Sequence, residues 1–90
     1  MNIRYSEKSL KDLKLFSPPD RTLIIKKIHY LADNFEVLKH SKKVTELKGG
    51  EFSNQYRFVV ARKIRVLFRV EDNAIVLLVL RVGFRKDIYE

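Results

Sequence analysis

Residues 55–70 read QYRFVVARKIRVLFRV and residues 74–89 read AIVLLVLRVGFRKDIY, strand-like runs in which positions off the core keep producing arginine. An ordinary sheet would carry threonine or serine there. Side chains opposite one another on antiparallel strands face the same side, so register decides what one surface holds. A loop of Ala61, Arg62 and Lys63 pairs Val60 with Ile64, Phe58 with Val66 and Tyr56 with Phe68, one apolar face. The opposite face then holds Arg57, Val59, Arg65, Leu67 and Arg69. A two-residue loop would put Arg57 beside Val66 and bury charge. The longer loop asks Lys63 to occupy a position that favours glycine.

For the second hairpin, Glu71, Asp72 and Asn73 form a loop ending on a residue that tolerates left-handed backbone. That register sets Val70 against Ala74, Phe68 against Val76 and Val66 against Leu78. Ile75, Leu77, Val79, Arg81 and Gly83 would then share the arginine side, joined by Arg85 if the extended chain continues. The last strand is apolar on both faces, which predicts an interior position with the N-terminal strand beside it.

Working back toward the N-terminus, Asn2 to Tyr5 alternates like a short strand. Ser6 offers an N-cap, and Leu10 and Leu13 give helical spacing until the SPPD stretch interrupts it. Ser17 then caps a second helix with Pro18 at its first position, and Ile24, Ile28, Leu31 and Phe35 form its apolar stripe. From Glu36 to Ser53 no period holds, and Lys39, His40, Lys42, Lys43, Lys48, Gly49 and Gly50 read as a basic loop. The expectation is a single α+β domain over residues 1–90. It has a small antiparallel-rich sheet in the order β-α-α-β-β-β, with two N-terminal helices on one face.

A chain of 90 residues with 46% hydrophobic content supports one core. A net charge of +8 points to a polyanionic partner, with RNA, DNA and anionic membrane all open on charge alone. There is no cysteine, and His29 and His40 alone build no zinc centre, so no metal or cofactor is expected. The N-terminus lacks a signal-peptide core, and the longest apolar run, Ala74 to Leu80, is too short to span a membrane. A soluble cytoplasmic protein is the expectation, with no membrane association and no small-molecule ligand.

The order strand, two helices, three strands, the YR pair at Tyr56 and Arg57, the IRVLFRV strand and the closing LRVGFRKDIY resemble the RelE branch of the RelE/ParE toxin superfamily. The resemblance covers the whole chain, and the VGxRxxxY ending is its most distinctive part. It implies a RelE-like fold and the toxin of a type II toxin-antitoxin system. Such a toxin is a ribosome-dependent endoribonuclease that cuts mRNA in the decoding site and is silenced by a cognate antitoxin. Matched by position, it implies catalytic roles for Arg57, Arg65, Arg85 and Tyr89. Lys48, Lys63, Arg69 and Arg81 are the expected further RNA contacts. Two positions depart from the pattern: Phe84 stands where such toxins often carry histidine or another polar group, and Val59 where some carry a second basic residue.

Arginine suits the phosphate, because its planar fork donates two hydrogen bonds and stays charged. It suits proton transfer badly, so a site of arginine and tyrosine rests on electrostatic stabilisation and positioning. The expected roles are Arg65 and Arg85 on the scissile phosphate, Arg57 near the 2′-OH, and Tyr89 stacking on or orienting a nucleotide. Against these stand plainer readings. The arginines can be a solvated face, Tyr89 a frayed terminal aromatic, His29 and His40 surface residues, and Tyr5, Tyr30 and Tyr56 core or rim aromatics. Two other functions stay open, a ParE-like topoisomerase poison and a catalytically weak or inactive RNA-binding member.

Overall fold

The computed structural model describes residues 1–48 and 54–88. Two serines start its principal helices. Ser6 Oγ accepts the Ser9 N–H at 3.0 Å, ahead of α1 (Glu7–Lys14), and Ser17 Oγ accepts the Asp20 N–H at 3.4 Å, ahead of α2 (Pro18–Asp33). Each satisfies one N–H that a helix start leaves without a backbone partner. Arg21 answers the same need at the other end of α1, donating from Nε to Leu13 O at 3.0 Å and from Nη2 to Phe16 O at 3.1 Å. Ile24, Ile28 and Leu31 are buried as their spacing predicts, but α2 stops before Phe35, read as the last member of its stripe: the chain turns at Asn34 and Phe35 is buried as the first residue of a short α3 (Phe35–Leu38).

Five strands among the described residues form one sheet in the order β1-β5-β4-β3-β2: β1 (Asn2–Tyr5), β2 (Val44–Glu46), β3 (Gln55–Val60), β4 (Ile64–Glu71) and β5 (Val76–Phe84). Among the described residues only β1 and β5 run parallel. The helices pack on one face, where Leu13, Phe16, Ile24, Ile28 and Leu31 meet Phe58, Val60, Ile64, Val66, Phe68, Leu77, Val79 and Val82. Phe35, Tyr56 and Phe68 form an aromatic cluster in that core, with centroids 5.2–5.9 Å apart.

The fold corrects the sequence reading at three places. The segment from Glu36 read as an aperiodic basic loop contains most of α3 and all of β2. In β2 only Val44 is buried, so the strand has no apolar signature of its own and is held by pairing Val44, Thr45 and Glu46 with Phe58, Arg57 and Tyr56. The first hairpin has the expected register, but left-handed backbone falls on Ala61 (φ 48°) and Arg62 (φ 62°), not on Lys63. In the second hairpin Glu71 pairs with Val76, Val70 with Leu77, Phe68 with Val79 and Val66 with Val82, with a register shift at Leu67 and Phe68 that leaves Leu80 as the extra residue. Leu77 and Val79 therefore belong to the core, not to the arginine side.

Packing explains that last correction. Burying a side chain such as Leu77 or Val79 contributes about 1.5–3 kcal/mol each. The longer loop holds Asp72, Asn73 and Ala74 at φ of 53°, 53° and 69°. Left-handed backbone costs about 1–2 kcal/mol per residue and less for Asp and Asn, a cost of the same order as that burial.

Candidate functional site

Away from the helices, register sorts the basic residues into rows across the sheet. Thr45, Arg57, Leu67 and Arg81 lie in one row, Val59, Arg65 and Gly83 in the next, and Gln55, Arg69 and Leu78 on the other side. Val59, Leu67 and Leu78 are half-buried and give the face an apolar floor. Arg57 and Arg65 sit diagonally across β3 and β4, about 7–8 Å apart at Cα.

Arg65 is the most deeply set cation, only 8% exposed. Its Nη1 donates to Arg62 O at 2.6 Å and Ile64 O at 3.1 Å, which fixes the plane of the guanidinium. Among the described residues no carboxylate lies within ion-pairing distance of it. Its cross-strand neighbour is Gly83, and a Cβ there would meet Ile88 at 3.6–3.8 Å, so the turn after β5 folds back over that glycine.

Arg85 lies in this turn, beyond the end of β5, and is exposed. Its backbone N–H donates to Lys63 O at 2.7 Å, tying the turn to the tip of the first hairpin. Arg62, Lys63, Phe84, Arg85 and Lys86 together line an open cleft of about 760 Å³. The cations thus gather at the hairpin end of the sheet.

Two expected contacts are engaged elsewhere. Arg81 donates to Asp12 from Nε at 2.8 Å and from Nη2 at 3.2 Å, and Val82 N–H donates to the same carboxylate at 2.9 Å. Burial alone would raise the Asp12 carboxyl, but these hydrogen bonds and the Arg81 charge hold it below the usual carboxylate range. Arg69 lies 3.7 Å from Glu71. Lys48 follows β2 near Gln55, about 20 Å from Lys63 along the strand at ordinary strand rise. The structure does not bring Lys48 to the cleft. Tyr89 lies outside the described residues. His29 and His40 are exposed on the helical side of the chain.

A family model described as the ParE toxin of the type II toxin-antitoxin system, parDE, matches residues 3–89. The chain belongs to the RelE/ParE toxin superfamily. The toxin in the Methanococcus jannaschii RelB-RelE antitoxin-toxin complex is 27% identical, with a TM-score of 0.69 over 96% of this chain and 94% of that one. A metal-bound toxin from Helicobacter pylori is 22% identical, with a TM-score of 0.73 over 98% of both chains. The isolated E. coli RelE toxin is 21% identical, with a TM-score of 0.69 over 98% of this chain and 89% of that one. Among curated proteins no sequence matches the chain.

Sequence reasoning missed two members of this toxin's basic cleft, Arg62 and Lys86. The signal was present in the paired fragments ARK at 61–63 and FRK at 84–86. They come together only when Ile64 pairs with Phe84, a register four residues away from the one expected at Val66. No helix among the described residues is long and apolar enough to cross a membrane.

Proposed function

We propose that this toxin is a ribosome-dependent endoribonuclease that cuts mRNA in the decoding site and is held silent by a cognate antitoxin. Arg65 carries the reading. A guanidinium at 8% exposure with only carbonyl partners described is an under-compensated charge, and an arriving anion stabilises it. Arg57 on the same face and Arg85 just past Gly83 make a phosphodiester the anion that fits.

In the reaction the ribose 2′-oxygen attacks the adjacent phosphorus. The 2′-O–P bond forms, the P–O5′ bond breaks, the 2′-OH gives up its proton and O5′ gains one, leaving a 2′,3′-cyclic phosphate and a 5′-hydroxyl. Arg65 and Arg85 hold the phosphate as charge develops, Arg57 lies toward the 2′-OH, and Tyr89 orients a nucleotide. Val59 and Phe84 supply no proton-transfer group. That share of the rate, about 10²–10⁴-fold, is reduced, and electrostatic stabilisation and ribosome-imposed geometry carry the chemistry.

The antitoxin reading draws on related solved structures described as toxin-antitoxin complexes and on charge complementarity. A cationic face with an apolar floor suits an acidic amphipathic segment.

Induced expression tests the function. Growth arrest with codon-internal cuts confined to translated messages supports it, and arrest with intact messages refutes it. The description of the family model as a ParE toxin favours one second reading, poisoning of a DNA topoisomerase, which produces DNA damage with mRNA uncut. Phe84 and Val59 favour a weak or inactive RNA binder, which leaves both nucleic acids intact.

A further inference from the structure

The cleft at the hairpin end pairs its cations with an aromatic ring that the chemistry above does not use. Phe84 is 42% exposed although it is large and apolar. It is backed by Phe16, with ring centroids 5.1 Å apart and planes tilted by 42°, so the ring is held in place while part of it faces the cleft. Around it stand Arg62, Lys63, Arg85 and Lys86, and among the described residues no lining residue is acidic. Asp87, with Asp12 and Ile88, lines the neighbouring depression, which Phe84 also borders. The Arg85 N–H bond to Lys63 O joins the two walls.

We propose that Phe84 is a stacking platform for a base of single-stranded RNA, whose flanking phosphates lie against Arg62, Lys63, Arg85 and Lys86. This rests on the RNA reading above and extends it to a subsite at the end of the sheet. Single-stranded nucleic acid is bound where a cationic groove tracks the backbone and an aromatic face receives bases, and this cleft offers both within five residues. An apolar peptide would cover the ring but desolvate four cations. Inorganic phosphate would meet the cations and leave the ring wet. A nucleotide satisfies both at once. Phe84 then has a role of its own at the position where a proton donor is missing.

The test uses the full chain and exploits its lack of tryptophan. In Phe84→Trp the indole is the sole tryptophan reporter and keeps an aromatic ring against Phe16. Titration with a hexameric oligouridylate is expected to quench it, while polyphosphate and polyglutamate of matched charge bind without comparable quenching. Phe84→Leu, apolar but without a π face, is expected to weaken oligouridylate binding by about 5- to 100-fold with the slope against salt unchanged. RNA binding with no quenching, equal quenching by polyglutamate, or wild-type affinity in Phe84→Leu overturns the platform and leaves the RNA reading standing. Failure of the wild-type chain to bind the oligouridylate also overturns the platform, whereas the ribosome-dependent reading falls only if induced expression leaves translated messages intact.

Discussion

Removing the Asp12 carboxylate tests whether one ionised group holds α1 to β5. Asp12→Ala deletes three acceptor contacts, at 2.8 and 3.2 Å to Arg81 and 2.9 Å to Val82 N–H. Hydrogen bonds to charged groups contribute about 1.5–3 kcal/mol. The Arg81 side chain is 39% exposed, so its fork regains water in the variant, and its share falls to about 1 kcal/mol or less. Val82 is 2% exposed, and its N–H lies on the part of β5 that β1 does not reach. Leaving that group without an acceptor costs about 1–3 kcal/mol. The sum is about 1–4 kcal/mol, a fall in Tm of roughly 4–30 °C for a domain of this size.

Asp12→Asn keeps an acceptor for Val82 but loses the charge, so its stability falls between the two. Urea unfolding followed by circular dichroism from pH 7 to pH 2 reads the effect. The folded-state pKa of Asp12 is depressed below its unfolded value. Its stabilisation is therefore complete above about pH 5 and is lost as pH falls through the folded pKa. The gap between wild type and Asp12→Asn shrinks across that acid range. A loss below about 0.5 kcal/mol in Asp12→Ala, or a gap to Asp12→Asn as wide at pH 2 as at pH 7, refutes the reasoning.

Arg65→Ala is expected to lower cleavage of translated messages by at least about 10²-fold. Arg65→Lys should fail to restore it, because an ammonium does not reproduce the fork; full activity in the lysine variant, scored by primer extension, contradicts that role. Arg85→Ala should flatten the slope of log affinity for single-stranded RNA against log salt by about 0.7. Arg81→Ala should flatten it less, because its charge is already met by Asp12; equal changes in fluorescence titrations would count against the assignment. Arg62→Gly removes a left-handed non-glycine residue and is expected to raise stability by up to about 1 kcal/mol while weakening RNA binding. A destabilised variant with full binding contradicts both halves.

The core face of the first hairpin was legible because a wrong loop length would have buried Arg57 against Val66, and charge burial is costly enough to exclude it. Both long helices were legible from Ser6, Ser17, Pro18 and the Ile24 to Leu31 stripe. The β4–β5 register was not, because β5 is apolar on both faces and alternation cannot say which residues turn inward. Of the candidate site, Arg57 and Arg65 on one face followed from the sequence, whereas the pairing of Arg81 with Asp12 joins residues 69 positions apart and has no local signal.

By itself the amino-acid sequence determined the α+β class, the helix starts, the register of the arginine-bearing hairpin and the cationic character of one face, all of which follow from local periodicity, capping and the cost of burying charge. Tertiary structure alone decided that Leu77 and Val79 join the core, that Arg65 is buried without a described carboxylate, and that Arg62 and Lys63 meet Arg85 and Lys86 around Phe84. The physical reason is that a strand apolar on both faces takes its register from the helices packed over it, and the end of that strand carries the basic turn to wherever the register ends.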